Sequence, residues 1–115
     1  DGIILLSPYL GGRRIQDEIR TAGSLSNWNP GPPSKLGPDT FEHELWRTIH
    51  HWGTSPQRRN AVWLAYGEDE DFRESNELMG QALPVSNVRM LPGRHDWDLW
   101  LPATTALLQS AESGN

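Results

Sequence analysis

Residues 61–91 read AVWLAYGEDEDFRESNELMGQALPVSNVRML, and this stretch decides the fold. Residues 61–66 form an apolar run closed by a glycine, which is typical of a strand buried on both faces. Residues 87–91 repeat the pattern, and residues 72–83 between them have the apolar spacing of a helix. The sequence therefore predicts a strand, helix, strand unit whose two strands are parallel.

The flanking segments extend this unit on both sides. Residues 3–6 read IILL and end at Ser7 and Pro8, which predicts a first strand buried on both faces. Residues 101–112 predict a closing helix with Pro102 in its first turn, where proline is tolerated. We therefore predict an α/β fold in three layers, with a short parallel sheet of about three strands in sequential order.

Residues 11–60 separate the first two strands by far more than an ordinary connection, so this segment must have its own structure. Residues 13–22 and residues 41–52 carry apolar side chains at helical spacing. Residues 24–38 between them are rich in proline and glycine and predict an irregular surface loop. The segment is therefore expected to be a helical insertion.

The start of the second inserted helix carries a capping signature. Asp39 and Thr40 are both suitable N-cap residues, and Glu42 lies three residues after Asp39. This spacing predicts a capping box, in which the glutamate bonds back to the N-cap residue.

Composition excludes several classes of protein. The 115 residues include no Cys, which excludes a disulfide scaffold or a thiolate zinc site and fits the cytoplasm. The formal net charge of −5 makes nucleic acid an improbable partner. The apolar runs fall far short of the roughly 20 residues that a membrane span needs, so we expect a soluble protein.

Four consecutive acidic residues, 68–71, follow the strand predicted over residues 61–66. The carboxyl ends of parallel strands form the edge where open α/β sheets bind ligands and place catalytic groups. A solvated loop before a helix N-terminus is the other interpretation, since the helix dipole favours acids there.

His95 follows the next strand, within the motif LPGRHDW of residues 91–97, and is expected at the same edge. A carboxylate that accepts a hydrogen bond from one imidazole nitrogen leaves the other nitrogen free as a general base. The sequence therefore predicts an acid and base pair, with an ordinary surface histidine as the alternative.

The remaining histidines and tryptophans give weaker signals. His43 and His50 lie two helical turns apart, too far to share a metal ion, and are expected on the helix surface. Trp28 lies in the proline-rich loop and either packs in the core or lines an apolar pocket. No metal site and no cofactor is predicted.

Three motifs together resemble the C-terminal part of an α/β-hydrolase of the serine esterase type: GIILLSPYLG (2–11), VWLAYGEDEDF (62–72) and NVRMLPGRHDW (87–97). The resemblance covers nearly the whole chain. It implies that residues 1–115 are a partial α/β-hydrolase fold and that residues 11–60 are the cap or lid that shapes the acyl pocket.

The resemblance also implies roles for the residues at the sheet edge. His95 matches the catalytic histidine of that family. The catalytic acid matches the third position after Gly67, which is Glu70 here where the family usually has Asp. We prefer Glu70, then Asp69, and Asp71 remains a third candidate. Trp28 and Trp97 are the candidate substrate-binding residues.

One element of the family is absent from this sequence. No Gly-x-Ser-x-Gly nucleophile motif occurs, and the nearest candidate, residues 23–26, follows a predicted helix instead of a strand. We therefore expect further sequence upstream and interpret the chain as a fragment of a serine hydrolase for carboxylic esters or related small acyl substrates. The alternative is a non-catalytic α/β module that binds a partner or ligand through its aromatic cap.

The expected edge of the sheet also bears on association. In the family's fold the strand over residues 3–6 has a neighbour on each side, and this chain supplies only one of them. We expect the open edge to recruit a second copy in a homo-oligomer, or the missing N-terminal part of the enzyme.

Overall fold

A three-stranded parallel sheet lies at the centre of the chain. The structure, a computed structural model, describes residues 2–113, without the side chains of Trp97 and residues 110–113. The strands are β1 (Ile3–Leu6), β2 (Val62–Gly67) and β3 (Val88–Leu91), arranged in the order β1-β2-β3. Both neighbouring pairs are parallel, which confirms the α/β class and the sequential strand order.

Five helices surround the sheet within residues 2–113: α1 (Arg13–Thr21), α2 (Phe41–Thr54), α3 (Pro56–Asn60), α4 (Arg73–Gly80) and α5 (Trp97–Ser113). The sequence did not predict the short helix α3, nor the 3₁₀ turn Val85–Asn87 before β3. Within the same residues no helix is both long and apolar enough to cross a lipid bilayer.

The side chains of β2 alternate between two separate clusters, because successive residues of a strand point to opposite faces of the sheet. Val62, Leu64 and Tyr66 belong to the larger core, which lies against α1, α2 and α4. Trp63 and Ala65 belong to the smaller cluster, which α5 forms with its buried side chains. Helices therefore cover both faces of the sheet.

Residues of the 11–60 segment supply much of the larger core. Its fully or nearly fully buried apolar side chains are Ile15, Ile19, Leu25, Trp28, Trp46 and Ile49. The Nε1–H group of Trp46 also donates a 2.7 Å hydrogen bond to the carbonyl of Leu10, just after β1. The inserted helices and the sheet thus share one core.

The prediction for the start of the last helix is wrong. Helix α5 begins at Trp97, so Pro102 lies at its sixth position rather than in its first turn. Asp96 explains the earlier start, because its Oδ1 atom accepts hydrogen bonds from the N–H groups of Asp98 (3.0 Å) and Leu99 (3.3 Å). These bonds satisfy donors that the first turn of a helix leaves without intrahelical partners.

The prediction that β1 is buried on both faces is also wrong. Ile3 is 48% exposed and Ile4 is 37% exposed, whereas β2 is mostly buried. The reason is position, since β1 pairs with β2 on one side and is the edge strand of the described sheet.

Glu42 does not form the predicted capping box. Its Oε1 atom accepts a 2.7 Å hydrogen bond from the N–H group of Gly12, at the start of α1. Thr40 stands at the N-cap position of α2 without a side-chain capping bond. Glu42 therefore joins two helices instead of closing its own.

Candidate active site

Three side chains from three strand ends meet at the carboxyl edge of the sheet. Ser7 directly follows β1, Glu70 lies three residues beyond the end of β2, and His95 lies four residues beyond the end of β3. Parallel strands bring these loops to the same side, which is where open α/β sheets carry their sites.

Glu70 is the buried acid of this cluster. Its side chain is 0% exposed, and its Oε2 atom accepts hydrogen bonds from the Ser7 hydroxyl (2.5 Å) and the Gly67 N–H group (2.7 Å). Its other oxygen, Oε1, is buried and has no hydrogen-bond partner among the described residues. Asp69 and Asp71 are both exposed, so only the middle residue of the three candidates points inward.

His95 faces the free oxygen of that carboxylate. Its Nδ1 atom lies 3.6 Å from Glu70 Oε1, within ion-pair distance but slightly long for a hydrogen bond. The imidazole contacts the rings of Phe72 and Trp100 edge to face, with centroids 5.1 and 4.8 Å away. Because Nδ1 faces the acid, Nε2 is the ring nitrogen on the side away from Glu70.

Two glycines allow the loops after β2 and β3 to approach closely. A Cβ atom on Gly67 would lie 2.3 Å from the carbonyl oxygen of Gly93 and 2.9 Å from Leu99. Gly93 itself has a φ of +135°, which side-chain-bearing residues rarely adopt. The N–H group of Asp69 donates to the same Gly93 carbonyl at 3.0 Å, so the acid and histidine loops are held together.

Ser7 and Trp100 are members of the site that the sequence did not reveal. Ser7 is 1% exposed and has a φ of +48°, in the left-handed region. Its Oγ atom accepts a 3.2 Å hydrogen bond from the indole N–H group of Trp100. The available signal was position, because Ser7 follows a predicted strand at the edge where His95 and Glu70 were expected.

An open cleft of about 870 Å³ lies over the pair. Its lining residues are Asp69, Glu70, Asp71, Arg94, His95 and Asp96. Carboxylates outnumber the one guanidinium, so the lining repels anionic ligands.

Arg73, at the start of α4, does not pair with Glu70. Arg73 bonds instead to Glu77 at 2.8 Å and to the carbonyl of Glu68. The hydrogen bond to Glu77 raises the pKa of the Arg73 guanidinium. Burial raises the pKa of the Tyr66 hydroxyl, with the Glu77 carboxylate adding to the effect.

The two candidate substrate-binding tryptophans do not complete this cleft. Trp28 is 4% exposed and donates a 2.8 Å hydrogen bond to Glu18, while its ring packs against His43 and His50. None of these residues lines the cleft. The prediction for Trp97 concerns a side chain outside those that the structure describes.

His43 and His50 are half-buried rather than on the helix surface, and His43 Nε2 lies 3.6 Å from a Glu18 carboxylate oxygen. Among the residues that the structure describes, no three histidine or acidic side chains are grouped as a metal site would require.

No family model, curated protein or solved structure matches the chain. A buried carboxylate beside an exposed imidazole is an arrangement suited to general base catalysis.

Proposed function

We propose that Glu70 and His95 are the acid and the general base of a serine-hydrolase triad that acts on carboxylic esters or related acyl substrates. The supporting observation is the 3.6 Å approach of His95 Nδ1 to the one Glu70 oxygen that has no hydrogen bond within the described fold. The chain would then be the C-terminal part of an α/β-hydrolase fold, with the nucleophile on a segment outside these 115 residues.

Chemistry assigns each group a step. His95 Nε2 accepts the proton of the nucleophile's hydroxyl as that oxygen bonds to the acyl carbon, and Glu70 stabilises the resulting imidazolium. The bond to the leaving alcohol then breaks as the proton passes from Nε2 to the leaving oxygen. Water repeats the two steps on the acyl-enzyme and releases the carboxylic acid.

The gap of 3.6 Å is compatible with this role. Catalytic hydrogen bonds are often long without substrate and tighten in the reacting complex. His95 has 45% of its side chain exposed, so small movements of its ring are not opposed by tight packing on every side.

The alternative of a binding module with an aromatic cap has less support. Trp28 and Trp46 of residues 11–60 are buried in the core, so the aromatic surface left for a partner is limited to Phe41, which is 43% exposed, and the partly buried Trp52. The acid and histidine pair, in contrast, borders an open cleft.

Ester hydrolysis by two forms of the protein tests the proposal. The 115-residue chain should hydrolyse a chromogenic short-chain ester no faster than background, because it has no activated serine for His95 to serve. A longer polypeptide that adds the residues encoded upstream should contain Gly-x-Ser-x-Gly after a strand pattern and should be active.

In that longer polypeptide His95→Ala should abolish turnover. His51→Ala, at an exposed position on α2, is the matched control and should keep it. Turnover by the 115 residues alone that disappears with His95→Ala, or a longer protein indifferent to this change, would refute the proposal.

A further inference from the structure

A chain of hydrogen bonds leads from α5 through β1 to the acid. The indole Nε1–H of Trp100 bonds to Ser7 Oγ, and the Ser7 hydroxyl bonds to Glu70 Oε2. Residues 7 and 100 come from opposite ends of the sequence, and neither was needed to find the pair of Glu70 and His95.

The direction of these bonds is fixed by chemistry. An indole N–H is only a donor, so Ser7 Oγ must accept from Trp100. A hydroxyl has one proton, and the 2.5 Å distance to Glu70 Oε2 is that of a charge-assisted O–H···O⁻ bond. The Ser7 proton is therefore directed at Glu70.

This direction determines which oxygen of Glu70 is left for the histidine. Oε2 receives two donors, the Ser7 hydroxyl and the Gly67 N–H group, while Oε1 receives none from the described residues. A free buried acceptor 3.6 Å from His95 Nδ1 favours a proton on that nitrogen. The lone pair then lies on Nε2, where a general base needs it.

We infer that Ser7, held by Trp100, is a positioning residue that fixes the orientation of Glu70 and thereby the Nδ1–H tautomer of His95. The inference rests on the proposed function, since it assigns the geometry that a base at Nε2 requires. Ser7 itself is not the nucleophile, because it is 1% exposed and lies on the side of Glu70 away from Oε1.

The backbone of Ser7 provides a second argument. A φ of +48° is favourable for glycine and strained for a serine. If only the turn mattered, glycine would be the better residue here. What glycine lacks is the hydroxyl, which accepts a hydrogen bond from Trp100 and donates one to Glu70.

The test is the tautomer of His95, measured from its two imidazole ¹⁵N shifts in long-range ¹H–¹⁵N spectra of the full 115-residue chain. Measurement at about pH 8.5 keeps an ordinary imidazole neutral. His95→Gln identifies the resonances among the four histidines. In the wild-type chain Nδ1–H should predominate, and Glu70→Gln should abolish this preference.

Ser7→Gly is the decisive variant, because it removes the hydroxyl and also relieves the positive φ. We expect it to fold and to lose most of the Nδ1–H preference. Ser26→Gly, at an exposed serine remote from the cleft, should leave the His95 shifts unchanged. If Ser7→Gly does not fold, Trp100→Phe is the deciding variant, because it keeps a ring against His95 and removes the indole donor. We expect it to lower the Nδ1–H preference of His95 as well, but by a smaller amount.

The outcomes separate the inference from the function on which it rests. A wild-type His95 without Nδ1–H preference would overturn both. The positioning role alone would be overturned by a different pattern. In that pattern Glu70→Gln abolishes the wild-type Nδ1–H preference, but Ser7→Gly, or Trp100→Phe in its place, leaves it intact.

Discussion

The Nδ1 atom of His95 lies 3.6 Å from the Oε1 atom of Glu70, although the two residues follow different strands and are exposed to very different degrees. The acid is fully buried, whereas the imidazole is 45% exposed at the cleft. In the proposed triad, the buried acid would orient the histidine and the half-exposed imidazole would reach the substrate as the base.

The first prediction distinguishes the three candidate acids. In the proposed longer polypeptide that carries the nucleophile, Glu70→Gln should lower kcat by about 10³- to 10⁴-fold, as expected when a triad acid can no longer orient its histidine. Asp69→Asn and Asp71→Asn remove exposed charges at the same loop and should change kcat little. Steady-state ester hydrolysis measures all three, and a greater loss for Asp69→Asn than for Glu70→Gln would assign the acid elsewhere.

The second prediction concerns the close approach of the loops after β2 and β3. Gly67→Ala should destabilise the protein by about 1–3 kcal/mol, because the new Cβ would lie 2.3 Å from the Gly93 carbonyl oxygen. Gly80→Ala is the matched control, since its Cβ would make only ordinary contacts, the nearest at 3.6 Å. Urea unfolding compares the two, and equal midpoints would show that the loops separate freely.

The third prediction is a loss of stability in acid that depends on Glu44. Its carboxylate accepts a 2.8 Å hydrogen bond from the Ser34 N–H group, in the proline-rich loop, and pairs with Arg47 at 2.9 Å. The backbone bond from Ser34, helped by Arg47, lowers the pKa of Glu44 below its usual value. The guanidinium of Arg47 also donates to the carbonyls of Pro30, Gly31 and Pro32.

Because the folded pKa of Glu44 is lowered, its contribution to stability is full above the ordinary pKa of a glutamate and is lost as pH falls through the lowered value. Urea midpoints should therefore fall over this acidic interval, and less so in Glu44→Gln. Asp39→Asn, an exposed acid at the same end of the helix, should retain the wild-type slope. Parallel slopes for Glu44→Gln and the wild type would contradict this assignment.

The fourth prediction concerns the open edge of β1. The N–H group of Ile3 donates to the carbonyl of Ala61, just before β2, and the N–H group of Ser7 donates to the carbonyl of Ala65 in β2, both at 2.8 Å. Alternation along the strand therefore directs the N–H and C=O groups of Ile4 and Leu6 away from β2. Together with the partly exposed Ile3 and Ile4 side chains, this edge leads us to expect a homodimer through β1. Completion of the sheet by the N-terminal part of the proposed hydrolase would use the same groups.

A pair of proline substitutions tests this edge. Ile4→Pro removes a donor that faces outward and should give a folded monomer, whereas Leu5→Pro removes a donor that faces β2 and should unfold the sheet. Light scattering and circular dichroism report the two effects. A wild-type chain that is monomeric at micromolar concentration, with no second polypeptide present, would contradict both modes of association.

The sequence predicted the parts of the fold that depend on local patterns. The apolar runs located the strands to within about one residue at each end. Pro102 is compatible with a first helical turn, but the N-cap at Asp96 is the stronger local signal and starts α5 at Trp97.

The site was predictable only in part. The strand ends placed Glu70 and His95 at one edge of the sheet. Which of the acids 69–71 points inward depends on the backbone path of the turn after β2, which the sequence pattern does not determine. Ser7 and Trp100 meet 93 residues apart, and no local pattern encodes such a contact. Trp28 was equally ambiguous, because the loop around it is exposed while its own ring is buried.

The shared core of the inserted helices and the sheet has a consequence for motion. Trp46 and Ile49 of α2 are buried in the same cluster as Leu64 of β2, so swinging the insertion outward would open the centre of the protein. Such a movement is equivalent to global unfolding, and the amide hydrogens of α2 and β2 should exchange with solvent in one cooperative event. The lining residues of the cleft all come from the loops after β2 and β3, so entry to the cleft must depend on those short loops rather than on the inserted helices.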